Sequence, residues 1–242
     1  MKGSEKKPPR FFPSPSALVE HPDPDGVVAI DGDLSVATLL EAYRLGIFPW
    51  PTDVRLRPRG PIVNVLLWFC PLERAILEFQ NLQINRSLAR ARRRALASGE
   101  LRFTIDRAFR EVMQACASVP RPGSEGTWIT EPLLEAYGNL FDQGHAHSIE
   151  VWDAEGNLVG GVYGVEVDGI FAAESMFHRV SDASKLALLH LMEWLQGRGI
   201  AWIDIQMMTP HLEKLGARPL PRRDYLKLLS ASRRRAKVVG PG

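Results

Sequence analysis

The spacing of apolar and polar residues changes period along this chain, and each change marks an element. Residues 11–16, Phe-Phe-Pro-Ser-Pro-Ser, read as an extended lead-in, and Val27–Ile30 as a short strand followed by a turn at Asp31-Gly-Asp33. Ser35 then precedes Leu39, Leu40 and Tyr43 at helical spacing, which predicts a capped helix stopped at Gly46. Gly46-Ile-Phe-Pro-Trp50 reads as an aromatic-bearing loop, and 51–61, rich in Pro and Arg, as a connection into a strand at Ile62–Phe69. Further on, the spacing predicts a helix from Ser87, a strand at 101–105 and a helix over 106–117 with Phe109, Val112, Met113 and Cys116 on its apolar face. A Gly/Pro loop at 120–126 delivers Trp128 to a helix capped by Thr130.

The last hundred residues carry the clearest pattern. Strands at 148–152 and 158–165 flank the turn Asp-Ala-Glu-Gly-Asn, and a third antiparallel strand follows at 170–177. A long helix over 183–196, a strand ending at Asp204-Ile-Gln206, a short helix to Leu215 and a basic helix from about Arg222 complete the chain. Meander, helix, strand, helix is the order of an N-acetyltransferase-like core, a fold-level analogy. The expected class is therefore α/β (α+β). Residues 1–10 form a Lys- and Pro-rich tail predicted to be disordered, 11–72 a small N-terminal domain, and 73–242 the acetyltransferase-like domain.

Composition narrows the class without choosing a function. A chain of 242 residues, 45% hydrophobic and 24% charged, can bury a sizeable core as one large or two unequal domains. Two cysteines, Cys70 and Cys116, fit free thiols in a reducing compartment. The charged start lacks an apolar stretch after it, and no apolar run is long enough to span a bilayer, so a cytoplasmic protein without a membrane partner is expected. The net charge of +2 conceals one cluster, Asn85-Arg-Ser-Leu-Ala-Arg-Ala-Arg-Arg-Arg94. On a helix, Arg86, Arg90 and Arg94 (or Arg93) align on one face. With no acidic residue before Glu100, that face suits either solvent or a phosphate backbone.

Candidate chemistry sits on the two late strands. Asp204 and Gln206 are two apart on an apolar strand and would share a face. Burying them is costly unless they bond each other, a loop or a ligand. Glu174 places a second carboxylate inside an apolar strand. His145 and His147 share a strand face without a third ligand nearby, so structural hydrogen bonding outweighs a zinc site. No Ser/His/Asp elbow, dinucleotide fingerprint or phosphate-loop pattern is present. Gly160, Gly161 and Gly164 lie within a strand, where they admit close approach of a ligand or of another backbone.

Seven collinear motifs resemble the leucyl/phenylalanyl-tRNA–protein transferases of bacteria: Gly46-Ile-Phe-Pro-Trp50, Glu125-Gly-Thr-Trp-Ile-Thr130, Gly144-His-Ala-His-Ser-Ile-Glu-Val-Trp152, Glu174-Ser-Met-Phe177, Asp204-Ile-Gln206, Leu215-Gly-Ala217 and Pro221-Arg-Arg-Asp-Tyr225. The resemblance spans about 12–229. It implies transfer of Leu or Phe, with Met a further candidate donor, from aminoacyl-tRNA to proteins beginning with Arg or Lys, marking them for regulated proteolysis. It also implies no metal and no dissociable cofactor. By motif match, Trp50 and Trp128 would hold the terminal adenosine, and Glu174, Asp204 and Gln206 would surround the reacting ester and amine. Arg86, Arg90, Arg93 and Arg94 would lie beside the acceptor stem. Val162, Phe171, Met176, Leu188 and Leu191 are the candidates for the pocket receiving the donor's side chain. A monomer is expected.

The bottom-up chemistry agrees with that implication. An aminoacyl ester is already activated, so aminolysis needs a neutral amine, placement and a stabilised oxyanion. Asp204 could take the amine's proton or hold the amine in place, and with Glu174 it would form an acidic recess for a cationic acceptor. The chain departs from the family pattern at Cys70, Val162, Ala173, Leu191, Leu195 and Thr209-Pro-His211, and in a longer connection from Trp50 to Trp68. Two rivals remain. A peptidoglycan-type aminoacyl-tRNA transferase shares donor and fold but takes a cell-wall precursor. A tRNA-binding module with a dead site would not need Glu174, Asp204 and Gln206 intact. An acetyl-coenzyme A enzyme would want a Gly-rich pyrophosphate loop before the long helix, which is not seen.

Overall fold

The computed structural model describes residues 11–20, 23–55, 57, 60–119 and 128–239. The expectations for the 1–10 tail and for the loop at 120–126 lie outside them. The chain begins with α1 (Pro15–Glu20), β1 (Val27–Ile30), α2 (Val36–Arg44), β2 (Phe48–Arg55) and β3 (Ile62–Phe69). Ser35 caps α2 as expected, its hydroxyl accepting from the Thr38 amide, and Leu39, Leu40 and Tyr43 are buried on one face.

Three readings, two here and one at Asp106, need correction. The expected extended lead-in at 11–16 ends early, because Pro15 and Ser16 already belong to the helix Pro15–Glu20. Phe48–Trp50 of the expected loop, and 51–55 of the Pro/Arg connection, are β2, paired antiparallel with β3 from Phe48 against Phe69 to Arg55 against Ile62. Pro49 and Pro51 suggested a loop, but the sheet order is β1-β3-β2, and an edge strand tolerates prolines whose missing amide faces away from its partner. Asp106 does not start a helix. Its φ is 59°, and its carboxylate instead accepts from the Ser148 amide and meets His147.

The remaining elements are β4 (Glu73–Glu78), α3 (Arg86–Ser98), β5 (Arg102–Ile105), α4 (Phe109–Ser118), α5 (Glu131–Asp142), β6 (Ala146–Trp152), β7 (Leu158–Val167), β8 (Ile170–His178), α6 (Ala183–Gly197), β9 (Trp202–Gln206), α7 (Pro210–Glu213), β10 (Arg218–Pro221) and α8 (Arg222–Val239). They build a seven-stranded sheet ordered β10-β4-β9-β8-β7-β6-β5. The expected meander, long helix and following strand are all present, and β9 lies parallel to β8. β4 and β10 went unforeseen, being short, with β10 carrying two prolines at the sheet's edge.

Helices cover both faces of this sheet. α4, α5 and α8 share one core with α2 and the three-stranded sheet, through Phe109, Leu133, Tyr137, Tyr225 and Trp68. α3 and α6 share the other through Leu88, Leu188 and Leu191. The fold is a mixed α/β sandwich. Arg222, buried at the start of α8, donates to the carbonyls of Leu18 (2.9 Å), Pro71 (3.1 Å) and Cys70, tying the C-terminal helix to the N-terminal segment.

Candidate active site

Two irregularities on neighbouring strands create the site. Along β7 and β8, Tyr163 pairs with Ser175 but Gly164 pairs with Ala173, so Glu174 is the extra residue of a bulge. Gly164 makes that geometry possible, because a Cβ there would sit 2.2 Å from the Ala172 carbonyl oxygen and 2.5 Å from the Phe171 ring. Its glycine therefore admits another backbone. Along β4 and β9, Ala75 pairs with Gln206 and Ile76 with Asp204, which leaves Ile205 as a second bulge. Gln206 then turns into the left-handed region at φ 55°, a conformation uncommon for a residue with a side chain. β8 and β9 are paired at Phe171–Ile203 and Ala172–Asp204, immediately before the two bulges.

Beyond those pairs the side chains converge. Gln206 Nε2 donates to Glu174 Oε1 at 3.0 Å, and the Tyr137 hydroxyl donates to Glu174 Oε2 at 3.2 Å. The Tyr43 and Tyr137 hydroxyls are 2.5 Å apart. Burial pushes the Glu174 carboxyl up to about 7, with the Asp204 charge adding to it, while the Tyr43 and Tyr137 hydroxyls and Arg74 act against it. Glu174 and Gln206 open onto a cavity of ≈ 300 Å³ whose walls include Phe48, Trp50, Trp128, Val162, Met176 and Leu188. The Trp50 and Trp128 rings are stacked there, with centroids 5.3 Å apart and planes within 9°.

The sequence-based assignments meet this geometry unevenly. Val162, Met176 and Leu188 line the cavity. Phe171 and Leu191 do not. Both are wholly buried in the core beneath it, so their placement in the pocket wall is corrected. Asp204 is not in the wall either, because the Ile205 bulge interrupts the two-residue alternation that would have paired its direction with that of Gln206. Arg74 grips both of its oxygens at 2.7 and 2.6 Å, the Tyr225 hydroxyl donates to Oδ2 at 2.7 Å, and the Gln206 amide donates to Oδ1 at 3.0 Å. Burial pulls the Arg74 guanidinium down, but the Asp204 charge outweighs it and leaves the group above arginine's usual range. The recess is therefore acidic through Glu174, with Asp204 neutralised by its partner.

Arg74, Tyr225, Tyr43 and Tyr137 escaped the sequence reading. Arg74 left one signal, an arginine directly before the apolar run Ala75-Ile-Leu77. The tyrosines left none, since a buried hydroxyl demands a partner but does not name one 94 residues away.

The arginine helix is largely as expected. Asn85 caps α3, and Arg86, Arg90, Arg93 and Arg94 are exposed, engaged by no ion pair among the described residues. Arg92 is different, since Glu193 of α6 compensates it. Arg86, Arg90 and Arg93 line a groove of ≈ 430 Å³ floored by Ile84, Ala89 and Leu96, while Arg94 lies off it. His147 bonds Asp106 at 2.7 Å, and no group of three or more His, Cys, Asp or Glu able to hold a metal occurs among the described residues. Cys70 and Cys116 are both buried, each about 1% exposed. No helix among the described residues is long and apolar enough to cross a membrane.

Comparison with known proteins gives a consistent match. The model of the leucyl/phenylalanyl-tRNA protein transferase family matches residues 76–230, and that of the family's N-terminal domain matches 32–72. A leucyl/phenylalanyl-tRNA–protein transferase of Thiobacillus denitrificans is 48% identical over 96% of this chain and 93% of its own. One from Tolumonas auensis is 46% identical over 92% of this chain and 88% of its own. Among solved structures, that of FemX is similar at 12% identity and TM-score 0.47, covering 81% of this chain and 70% of that one. That of L-PGS from Bacillus licheniformis is similar at 13% identity and TM-score 0.41, covering 74% and 54%.

Proposed function

The chain belongs to the leucyl/phenylalanyl-tRNA–protein transferase family, and from that membership we propose how its residues divide the work. It is an aminoacyltransferase that moves Leu or Phe from aminoacyl-tRNA to the N-terminal Arg or Lys of a protein. The observation that carries our division is the convergence of Glu174 and Gln206 in one cavity with two stacked indoles and an apolar wall. Val162, Met176 and Leu188 contact the donor's Leu or Phe side chain. Trp50 and Trp128 offer a stacking surface to the terminal adenosine. Glu174 faces the acceptor, its charge suited to the cationic first residue and its carboxyl titrating near the working pH. Gln206 orients the amine. Asp204 acts one step back, holding the Gln206 backbone in its left-handed turn through the amide bond to Oδ1.

We further assign 11–72 and 73–242 as two domains, the cytoplasm as the site of action and proteolytic marking of the acceptor as the outcome. Incubating purified enzyme with leucyl-, phenylalanyl- and isoleucyl-tRNA and a peptide starting with Arg or Lys tests the reading. Leu and Phe are transferred, and β-branched Ile is rejected by shape, since a methylene alone discriminates by only about 1–3 kcal/mol. Equal transfer of Ile, or transfer to a cell-wall precursor in place of the peptides, overturns it.

Exposed Arg86, Arg90, Arg93 and Arg94 serve as phosphate contacts for any acceptor stem, so they set affinity without setting amino-acid preference. Changing Arg90, Arg93 and Arg94 to alanine one at a time reduces the log–log salt slope of tRNA binding by about 1 each. The Leu/Phe ratio stays the same. A triple variant with the wild-type slope would make α3 a solvated face.

A further inference from the structure

Glu174 has a support that neither the sequence motifs nor the family match points to. Tyr137 comes from α5 and Tyr43 from α2, in the part of the chain matched by the separate N-terminal family model. Their hydroxyls meet at 2.5 Å in the core, and either can be the donor. Tyr137 is fully buried and Tyr43 is 3% exposed, and the pair ends on Glu174 Oε2. A hydrogen-bonded pair of hydroxyls whose direction can reverse fits a carboxyl group that changes its proton count, because each hydroxyl can donate or accept.

We propose that Tyr137 and Tyr43 are positioning residues that hold Glu174 as a proton shuttle for aminoacyl transfer, a role resting on the reading of Glu174 given above. In the first half of the step the peptide amine attacks the ester carbonyl carbon. The C–N bond forms, and the amine's proton passes to the Glu174 carboxylate. In the second half the C–O bond to the ribose breaks, and the ribose oxygen takes that proton, regenerating the carboxylate. Nothing is oxidised or reduced. While Glu174 is ionised, Tyr137 donates to Oε2 and Tyr43 donates to Tyr137. Once Glu174 carries the proton, it can donate to Tyr137, which turns its own proton toward Tyr43, and the Tyr43 hydroxyl in exchange donates to Glu174. No heavy atom has to move. Burial raises both phenols well above the ordinary tyrosine range, so they act as neutral donors.

The other groups facing Glu174 are fixed in their partnerships. Gln206 of β9 donates to Oε1, Arg74 of β4 and Tyr225 of α8 are held by Asp204, and the Tyr163 ring of β7 lies edge-on to Tyr137. The tyrosine hydroxyls are the contacts that oppose the cost of ionising Glu174 in a buried site, with Arg74 behind them.

The test measures kcat/KM for an Arg-starting peptide against pH with saturating leucyl-tRNA, dividing each value by the fraction of peptide present as free base. Wild-type enzyme shows one remaining break, near pH 7. Tyr137→Phe keeps the ring but loses the donor, and its break moves up by about one pH unit. That shift lowers the corrected rate about fivefold at pH 7 and restores it above about pH 9. Tyr43→Phe moves the break in the same direction, since the Tyr43 hydroxyl also favours the charged form of Glu174, and stands in if Tyr137→Phe does not fold. A folded variant whose rate falls equally at every pH, or whose break stays in place, overturns the shuttle support while leaving the function intact. A wild-type enzyme that transfers nothing to the peptide overturns the function, and the inference with it.

Discussion

Glu174→Gln lowers transfer to an Arg-starting peptide by about 10²–10⁴-fold, the range of a lost general acid–base group. Glutamine keeps the shape of the side chain, can accept from Gln206 Nε2 through its oxygen while its NH2 donates to the Tyr137 hydroxyl, and cannot take a proton. The fold is not at risk, since a neutral amide avoids the cost of a buried charge. The pH dependence carries the sharper signature. An α-amine ionises near pH 8 and must be neutral to attack. Glu174 ionises near 7 and must be charged to accept the proton. Below both values, log kcat/KM of the wild type therefore rises with a slope of about 2, and that of the variant with a slope of about 1. Stopped-time assays with radiolabelled leucine across about pH 5–9 read both quantities. A variant with near-wild-type turnover and unchanged slope would remove Glu174 from the chemistry.

The largest effect on stability is expected at Arg74. Arg74→Met removes one partner of a fully buried pair and leaves Asp204 charged among Ile76, Phe48 and Tyr225, at a cost of about 3–5 kcal/mol. The paired variant Arg74→Met, Asp204→Leu removes both charges, and its stability returns to within about 2 kcal/mol of wild type. Its activity does not return, because the Gln206 amide has lost its acceptor and the turn that presents the Gln206 side chain is no longer held. Urea unfolding of the three proteins, with transfer assays on each, separates the two effects. A single variant as stable as wild type would show that the pair is not holding the strand ends.

Most of the last hundred residues were legible because their pattern is local. The meander, the long helix and the strand bearing Asp204 follow from alternation, from turns and from the stop at Gly197, and the structure has all of them. The first seventy residues were harder. Phe48-Pro-Trp50-Pro violates strand propensity and is nonetheless an edge strand, where proline costs little. At the site, Glu174 and Gln206 could be picked out as polar residues in apolar strands. Their meeting depends on two bulges, and no residue pattern in β8 or β9 announces a bulge; Gly164, on the partner strand, is its nearest trace. The partners of Asp204 were out of reach for another reason. Arg74 is 130 residues away in sequence, and only the closed sheet brings it alongside.

Arg222 also couples the start of the chain to its end. Its guanidinium satisfies carbonyls of Leu18, Cys70 and Pro71, which a ribosome makes long before it reaches residue 222. At about 5–20 residues per second the wait is on the order of 8–40 s. Throughout that interval the junction between the N-terminal segment and the sheet lacks its buried donor, and the usual order, in which the part made first is finished first, does not apply. The nascent chain completes its beginning only after its last helix has emerged.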